Sequence, residues 1–221
     1  MSPRRPWMLV VASLLTATVL AASGPASAAT PPIGRWALKG NLKDTAGSSL
    51  ILTKVGSPSF QTVNVDSTSR KALVFAPGEG LHLAGIPKPA RGTYSIEIQL
   101  ELNDLSGYRR ILSFGPNDQD AGLYLEGGAI SLFDHKVTAD PVASTNIWSS
   151  VRVTRNGANG QMYVYVDGTR YLGYKDVRGE YRLRGGIVVF LQDDGGENGS
   201  GAAGRVVFWD KVVPAFAIGG S

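Results

Sequence analysis

Two carboxylates that could act together as an acid and a base lie on one short segment, at Glu97 and Glu101. Glycoside hydrolysis uses such a pair, with one carboxyl group as the general acid and the other as the nucleophile or general base. The two groups need different pKa values, which their surroundings must provide. Between them lies the neutral Gln99, which cannot supply a charge that separates those pKa values. We therefore predict that the chain is not an enzyme, and we keep hydrolysis through Glu97 and Glu101 as the alternative.

A second candidate for chemistry is the acidic, glycine-rich loop that follows residue 192. Calcium is bound by carboxylate, amide and backbone carbonyl oxygens in a flexible shell, and this loop offers all three. The candidate ligands are Asp193, Asp194, Glu197 and Asn198. The spacing is not that of an EF-hand, and the same glycines are compatible with a plain surface loop. The loop therefore predicts calcium as a cofactor, with a solvated connection as the alternative.

Aromatic side chains cluster around a predicted hairpin turn at Asp167-Gly168. An Asp-Gly pair between alternating segments is typical of a two-residue type I′ turn. Such a turn would pair Tyr165 with Arg170 and Tyr163 with Leu172. Aromatic faces can stack on sugar rings, whereas the alternative is that these cross-strand pairs only stabilise the hairpin. The predicted ligand-binding residues are Tyr163, Tyr165 and Arg170.

The segments that position these side chains alternate apolar and polar residues, which is the period of a β-strand. The clearest case runs from Thr93 to Leu102. One face of this predicted strand is apolar and consists of Tyr94, Ile96, Ile98, Leu100 and Leu102. The other face carries Glu97, Gln99 and Glu101, and we expect it to be solvated.

Short strands of this kind recur along the chain, separated by turn residues, and no segment has a helical period. About a dozen strands at such spacing are typical of an all-β sandwich or barrel. We predict a two-sheet antiparallel jelly-roll β-sandwich. Its predicted core includes Trp36, Ile96, Ile98, Leu100, Trp148, Val151, Val153, Val188 and Phe190.

The composition limits the cellular compartment and the classes of partner that we expect for this protein. The chain has 221 residues, no cysteine and a formal charge of +4. We predict a signal peptide over residues 1–28, because a basic start is followed by an apolar stretch and then by small residues at the cleavage site. One domain follows, over residues 29–221. Basic residues are scattered along the sequence, whereas a nucleic-acid-binding protein would cluster them on one face. We therefore expect neither a nucleic-acid partner nor, after cleavage of the signal peptide, a membrane anchor.

Several stretches carry a family resemblance through their order and spacing: Arg35–Gly47, Tyr94–Ile98, Trp148–Thr154 followed by Tyr165–Gly168, and Phe190–Asp210. Together they resemble concanavalin A-like domains of the laminin G-like type, over residues 33–213. The resemblance implies a jelly roll that often binds carbohydrate and sometimes calcium, and it makes Asp44 a second candidate ligand, although we expect a turn residue there. The Glu97–Glu101 segment resembles the active strand of laminarinase-type hydrolases of this fold, but Gln99 replaces their central aspartate.

These features predict a secreted, extracellular and noncatalytic binding module, monomeric, with a glycan as its ligand. Two alternatives remain. One is a secreted polysaccharide hydrolase of the laminarinase type that uses Glu97 and Glu101. The other is a cell-surface domain that binds another protein, because a fold of this kind does not by itself assign a function.

Overall fold

The strands of this protein pair into two antiparallel sheets. The computed structural model describes residues 30–65, 68–116, 121–133, 135–193 and 195–214, so the predicted signal peptide lies outside the described residues. The strands are β1 (Gly34–Trp36), β2 (Ile51–Val55), β3 (Ser59–Val65), β4 (Thr68–Phe75), β5 (Gly80–Ala84), β6 (Tyr94–Leu102), β7 (Tyr108–Ser113), β8 (Gly122–Glu126), β9 (Ala129–Leu132), β10 (Lys136–Val137), β11 (Ser149–Arg155), β12 (Gln161–Val166), β13 (Thr169–Lys175), β14 (Val188–Phe190) and β15 (Gly201–Trp209). Two short 3₁₀ turns, Lys88–Arg91 and Arg184–Gly186, interrupt the connections.

The first sheet has the order β13-β12-β11-β6-β15-β4-β3, and β1 pairs with β15 beside this path. The second sheet has the order β10-β9-β8-β7-β14-β5-β2. The apolar faces of the two sheets form one core, which confirms the predicted two-sheet antiparallel β-sandwich. None of the helical segments in the described ranges is long and apolar enough to cross a bilayer.

The alternation in β6, the central strand of the first sheet, explains which of its faces lies in the core. Ile96, Ile98 and Leu100 are almost completely buried, and they point at the second sheet. Neighbouring strands match this register, since Val151 pairs with Ile98 and Val153 with Ile96. An apolar face of this kind gains stability in proportion to the area that it removes from water.

Eight of the nine predicted core residues are buried, and the exception is Trp148. Trp148 precedes β11 and is only half-buried. Successive side chains of a strand alternate between its faces, so residue 148 falls on the side opposite to Val151 and Val153. The prediction that Trp148 lies in the core is therefore wrong, because its position does not share their parity.

The hairpin that joins β12 to β13 has the predicted turn. Asp167 and Gly168 have φ values of 47° and 84°, as a type I′ turn requires. Tyr165 pairs with Arg170, as predicted, but Tyr163 pairs with Gly173 instead of Leu172. The difference arises from a β-bulge on β13, where one extra residue shifts the register beyond Tyr165.

The core assignment makes a stability prediction for Ile98, which has no exposed surface. We expect Ile98→Ala to lower the free energy of unfolding by about 2–5 kcal/mol, because it removes buried apolar groups and leaves a cavity. Ile51→Ala is the matched control, since Ile51 is 59% exposed and its loss should cost less than about 0.5 kcal/mol. Urea denaturation measures both, and equal costs would contradict the assigned strand faces.

Candidate functional site

The side of the first sheet that faces away from the core is called the outer face below, and its centre is a buried cluster of charges. Glu97 is only 1% exposed. Its Oε2 accepts hydrogen bonds from Nε and Nη2 of Arg152, at 3.0 and 2.6 Å. Its Oε1 accepts one from Nη2 of Arg205, at 2.7 Å. The expectation that Glu97 is solvated is therefore wrong, since two arginines and the residues above them cover this carboxylate.

The cover over this cluster is a short C-terminal segment, residues 211–214, which we call the strap. Ser95 anchors it twice: its Oγ donates to the carbonyl oxygen of Lys211 and accepts from the backbone N–H of Val213, each at 2.8 Å. Arg152 donates from Nη1 to the carbonyl oxygens of Val213 and Pro214. The apolar side of the strap packs on the sheet, where Val213 forms a small buried cluster with Val207 and Trp209.

The two glutamates that could form a catalytic pair lie on the same face of β6 but in different surroundings. They are four residues apart on a continuous strand, which separates their Cα atoms by about 13 Å at roughly 3.3 Å per residue. Glu101 is half-buried beyond the charged cluster, and burial raises the pKa of its carboxyl group above the ordinary value. Glu97 serves instead as the shared partner of two arginines.

The predicted ligand-binding residues Tyr163, Tyr165 and Arg170 do come together on the outer face, and we call them the tyrosine patch. The rings of Tyr163 and Tyr165 lie 6.4 Å apart, edge to face. The guanidinium of Arg170 lies over the Tyr163 ring, at 5.0 Å from its centre. Tyr165 is only 8% exposed, so the half-buried Tyr163 presents most of the reachable aromatic surface. A Cβ at Gly173, the cross-strand partner of Tyr163, would lie 3.4 Å from the Tyr163 ring.

A second aromatic group on the outer face was missed at the sequence level, and we call it the tryptophan cluster: Trp148, Arg70 and Gln99. Arg70 lies over the Trp148 ring at 5.3 Å and donates from Nη2 to Oε1 of Gln99 at 2.9 Å. The indole N–H of Trp148 donates to the carbonyl oxygen of Asn64, which fixes the ring. A Cβ at Gly204 would lie 3.0–3.1 Å from atoms of all three side chains, so the glycine makes room for them.

One signal in the sequence could have identified Trp148 as a surface aromatic. Its parity places it on the same strand face as Ser150 and Arg152, whereas Val151 and Val153 form the apolar face. The partners Arg70 and Gln99 belong to other strands, β4 and β6. Only the pairing of β15 with both of those strands places these side chains next to one another.

The acidic loop has an internal structure of its own. Asp193 is buried, and its Oδ1 lies 2.5 Å from Nη2 of the fully buried Arg110, in charge contact without an aligned hydrogen bond. Asn198 closes the loop, because its Oδ1 accepts from the backbone N–H of Asp193 and its Nδ2 donates to the carbonyl oxygen of Gly195. Asp194 lies outside the described residues.

These contacts bear on the predicted calcium site. Arg110 already supplies a positive charge to one predicted ligand, and the Asn198 side chain is engaged within the loop. Across the described ranges, no three His, Asp or Glu side chains converge as metal ligands would. Calcium therefore stays a prediction, and its ligand set would have to compete with Arg110.

Asp44, the second candidate ligand, lies in a turn and holds it together. Its two carboxylate oxygens accept from the backbone N–H groups of Arg35, Ala46 and Ser48, and from the Ser48 hydroxyl. Partial burial raises the pKa of the Asp44 carboxyl group, but these four hydrogen bonds outweigh it and leave the pKa below the ordinary value. Asp44 is thus the turn residue that we expected.

Comparisons with known proteins identify the fold and no closer relationship. No family model matches the chain, and no curated protein matches it in sequence. The binding domain of botulinum neurotoxin serotype D matches in structure with a TM-score of 0.62 and 16% identity, over 85% of this chain and 50% of that one. The binding domain of botulinum neurotoxin DC, in complex with rat synaptotagmin II, matches with a TM-score of 0.60 and 15% identity over the same shares. This chain thus spans about half the length of those neurotoxin domains.

A match of similar size comes from a carbohydrate-processing protein. Domain 4 of an extracellular arabinanase from Geobacillus stearothermophilus, in complex with arabinotriose, aligns with a TM-score of 0.58 and 12% identity. The alignment covers 84% of this chain and 95% of that domain. At these identities the likeness establishes the fold, a two-sheet β-sandwich that these domains share.

The charged cluster makes a prediction that separates the two glutamates. We expect Glu97→Gln to lower the free energy of unfolding by about 3–5 kcal/mol, because it leaves the buried Arg152 without its counter-charge. Glu101→Gln, on the same strand and face, should change it by less than about 0.5 kcal/mol. Folding raises the pKa of Glu101, so its negative charge lowers the free energy of unfolding at pH 7 but not below about pH 4.5, where the carboxyl group is protonated. Any effect of Glu101→Gln should therefore be a gain in stability at pH 7 that disappears in acid.

Urea denaturation at pH 7 and pH 4 measures both variants. Equal losses from the two substitutions would contradict the assignment of Glu97 as the charge on which the outer face depends.

Proposed function

We propose that this chain is a secreted, noncatalytic, monomeric binding module of the concanavalin A-like type, and that its ligand is a glycan held on the outer face. One observation carries the proposal: half-buried aromatic rings lie on this face beside hydrogen-bonding side chains. Tyr163 has Arg170 next to it, and Trp148 has Arg70 and Gln99. Aromatic surface flanked by a few placed polar groups is the usual composition of a small-ligand site.

The strap determines where on the outer face a glycan can lie. It covers Ser95 and Arg152 in the middle of the sheet, so a ligand would bind to the surface on either side of the strap. The tyrosine patch lies toward the β13 edge, whereas the tryptophan cluster reaches β4 and β3 on the other side. The proposal therefore assigns the aromatic contacts to Tyr163 and Trp148, on either side of the strap.

The noncatalytic part of the proposal is supported by the position of the two glutamates. Glu97 is bound by two arginines under the strap, so both of its oxygens are already paired, and the neutral Gln99 lies between it and Glu101. The glycan part is supported by the shared fold, since one structural neighbour was solved in complex with arabinotriose.

Binding to a glycan array tests the proposal, with the chain applied as residues 29–221. We expect Tyr163→Ala or Trp148→Ala to weaken binding of the best glycan by about 10-fold or more, because each removes the aromatic surface of one contact. Tyr171→Ala is the matched control, since Tyr171 is 48% exposed and belongs to neither aromatic group. A chain that binds no glycan, or variants that bind like the control, would contradict the proposed site.

The same array includes an arm with calcium and an arm with a chelator, together with a thermal melt in each condition. If the acidic loop binds calcium, binding to the folded state alone at about 100 times the dissociation constant adds about 2.7 kcal/mol of stability. The melting temperature should then rise by several degrees, and Asp194→Ala should blunt the rise. An unchanged melting curve would contradict the calcium prediction and leave the glycan proposal intact.

Hydrolysis is tested separately, by incubating the purified chain with β-glucans and measuring new reducing ends. We expect none above the buffer control. Release of reducing ends that Glu101→Gln abolishes, in a variant that remains folded, would show that the laminarinase-type alternative is correct. Glu97→Gln is unsuitable for this purpose because removing the charge of Glu97 is expected to destabilise the fold.

A further inference from the structure

One end of the sandwich carries a concentration of positive charge that the sequence-level view of scattered basic residues did not anticipate. A depression of about 410 Å³ opens there between the β5–β6 and β13–β14 connections. Its charged lining residues are Lys88, Arg91, Arg182 and Arg184. No acidic side chain belongs to the described lining of this depression.

A second depression, of about 400 Å³, adjoins the first, and the two share Gly179 and Arg182. It adds Arg155 and Arg178 to the basic side chains. The only acidic residue in its described lining is Asp176. We call the two depressions together the basic cleft.

The carboxylates near the basic cleft are already engaged. Asp176 is buried, with Oδ2 at 2.8 Å from Nε of Arg155, and it also accepts the backbone N–H groups of Glu180 and Tyr181. Glu180 pairs with His135, and Arg178 is 3.7 Å from its other oxygen. In the described part of the chain, no carboxylate lies within ion-pair distance of Lys88, Arg91 or Arg182. Among the described residues, these three cations therefore repel one another without a carboxylate in ion-pair contact.

Backbone contacts join the two connections and hold the Arg91 side chain in place before any ligand arrives. The two connections are joined by a hydrogen bond from the N–H of Leu183 to the carbonyl oxygen of Arg91, at 2.9 Å. Nε of Arg91 donates to the carbonyl oxygen of Ile86. A Cβ at Gly186 would lie 2.7 Å from Nη2 of Arg91, and one at Gly179 would lie 3.1 Å from Cδ of Arg182. Glycine at these two positions lets both arginines lie against the backbone.

We propose that the basic cleft is a second binding site, for an acidic polysaccharide that carries carboxylate or sulfate groups. Planar guanidinium groups match both anions with paired hydrogen bonds. The described lining of both depressions contains no aromatic side chain, so nucleobases would find no stacking surface. The two adjoining depressions suit repeated charges along one chain. The proposal is independent of the glycan site on the outer face, since the two share no residue.

Salt-dependent binding tests this inference, using polygalacturonate as the carboxylate probe, dextran sulfate as the sulfate probe and neutral dextran as the uncharged control. Calorimetry is run at a series of salt concentrations. The test variant is Lys88→Gln with Arg182→Gln. The control variant is Lys39→Gln with Lys43→Gln, which removes the same charge from exposed lysines that do not line the cleft.

The wild-type chain should bind at least one polyanion and not neutral dextran. The test variant should bind about 10-fold more weakly at low salt, with a shallower dependence of log K on log salt by about two charges. The control should weaken binding less than about twofold, and Arg182→Lys should keep the salt slope while losing the paired hydrogen bonds. Which probe binds more tightly identifies the anion.

Three results would overturn the inference. The first is no polyanion binding by the wild-type chain at low salt. The second is an equal loss in the control variant, which would mean that net charge alone is responsible. The third is duplex DNA that binds as tightly as the polysaccharides and loses affinity in the same test variant, which would assign the cleft to nucleic acid. Loss of the Tyr163 and Trp148 effects on the glycan array would leave this inference unaffected.

Discussion

The outer face of this sandwich depends on one buried interaction, the carboxylate of Glu97 held between Arg152 and Arg205. A charge in that position would be very costly alone, and it persists because both of its oxygens are paired. Arg152 in turn holds the strap through two carbonyl oxygens and lies over the Trp209 ring at 4.7 Å. The central strand is therefore covered on both sides, by the core on one and by its own C-terminal segment on the other.

This constraint divides the surface into places that can bind and places that cannot. Where the strap lies, backbone carbonyls satisfy Arg152 and the small apolar cluster of Val207, Trp209 and Val213 excludes water. Beyond it, aromatic rings are only half-buried, and polar side chains next to them have exposed surface. The face that in a hydrolase would hold two carboxylates thus holds one carboxylate paired with two arginines at its centre and aromatic groups at its flanks.

Local rules predicted the fold but not the chemistry of the site. Alternation alone identified Ile96, Ile98 and Leu100 as core, and the Asp167-Gly168 pair identified the hairpin turn. Trp148 was predicted to lie in the core, although its position in the alternation of the strand already indicated the outward face. The burial of Glu97 could not be inferred in this way, because it depends on a strap more than 110 positions away in the sequence. Nor could the register beyond Tyr165 be inferred, because nothing local marks the bulge.

The basic cleft shows that a cluster of charges, like the burial of Glu97, cannot be predicted from local sequence. Its cations come from two segments about ninety positions apart, and the chain that connects them carries acids that pair elsewhere, such as Asp104 with Arg109. On the outer face, by contrast, Glu97 meets Arg152 and Arg205 within one cluster and offsets part of their charge. The field of the described cleft cations acts over about 10 Å at 0.1 M salt. A ligand drawn by charge and a ligand held by ring stacking would thus reach different surfaces of the same sandwich, and only the first would respond strongly to salt.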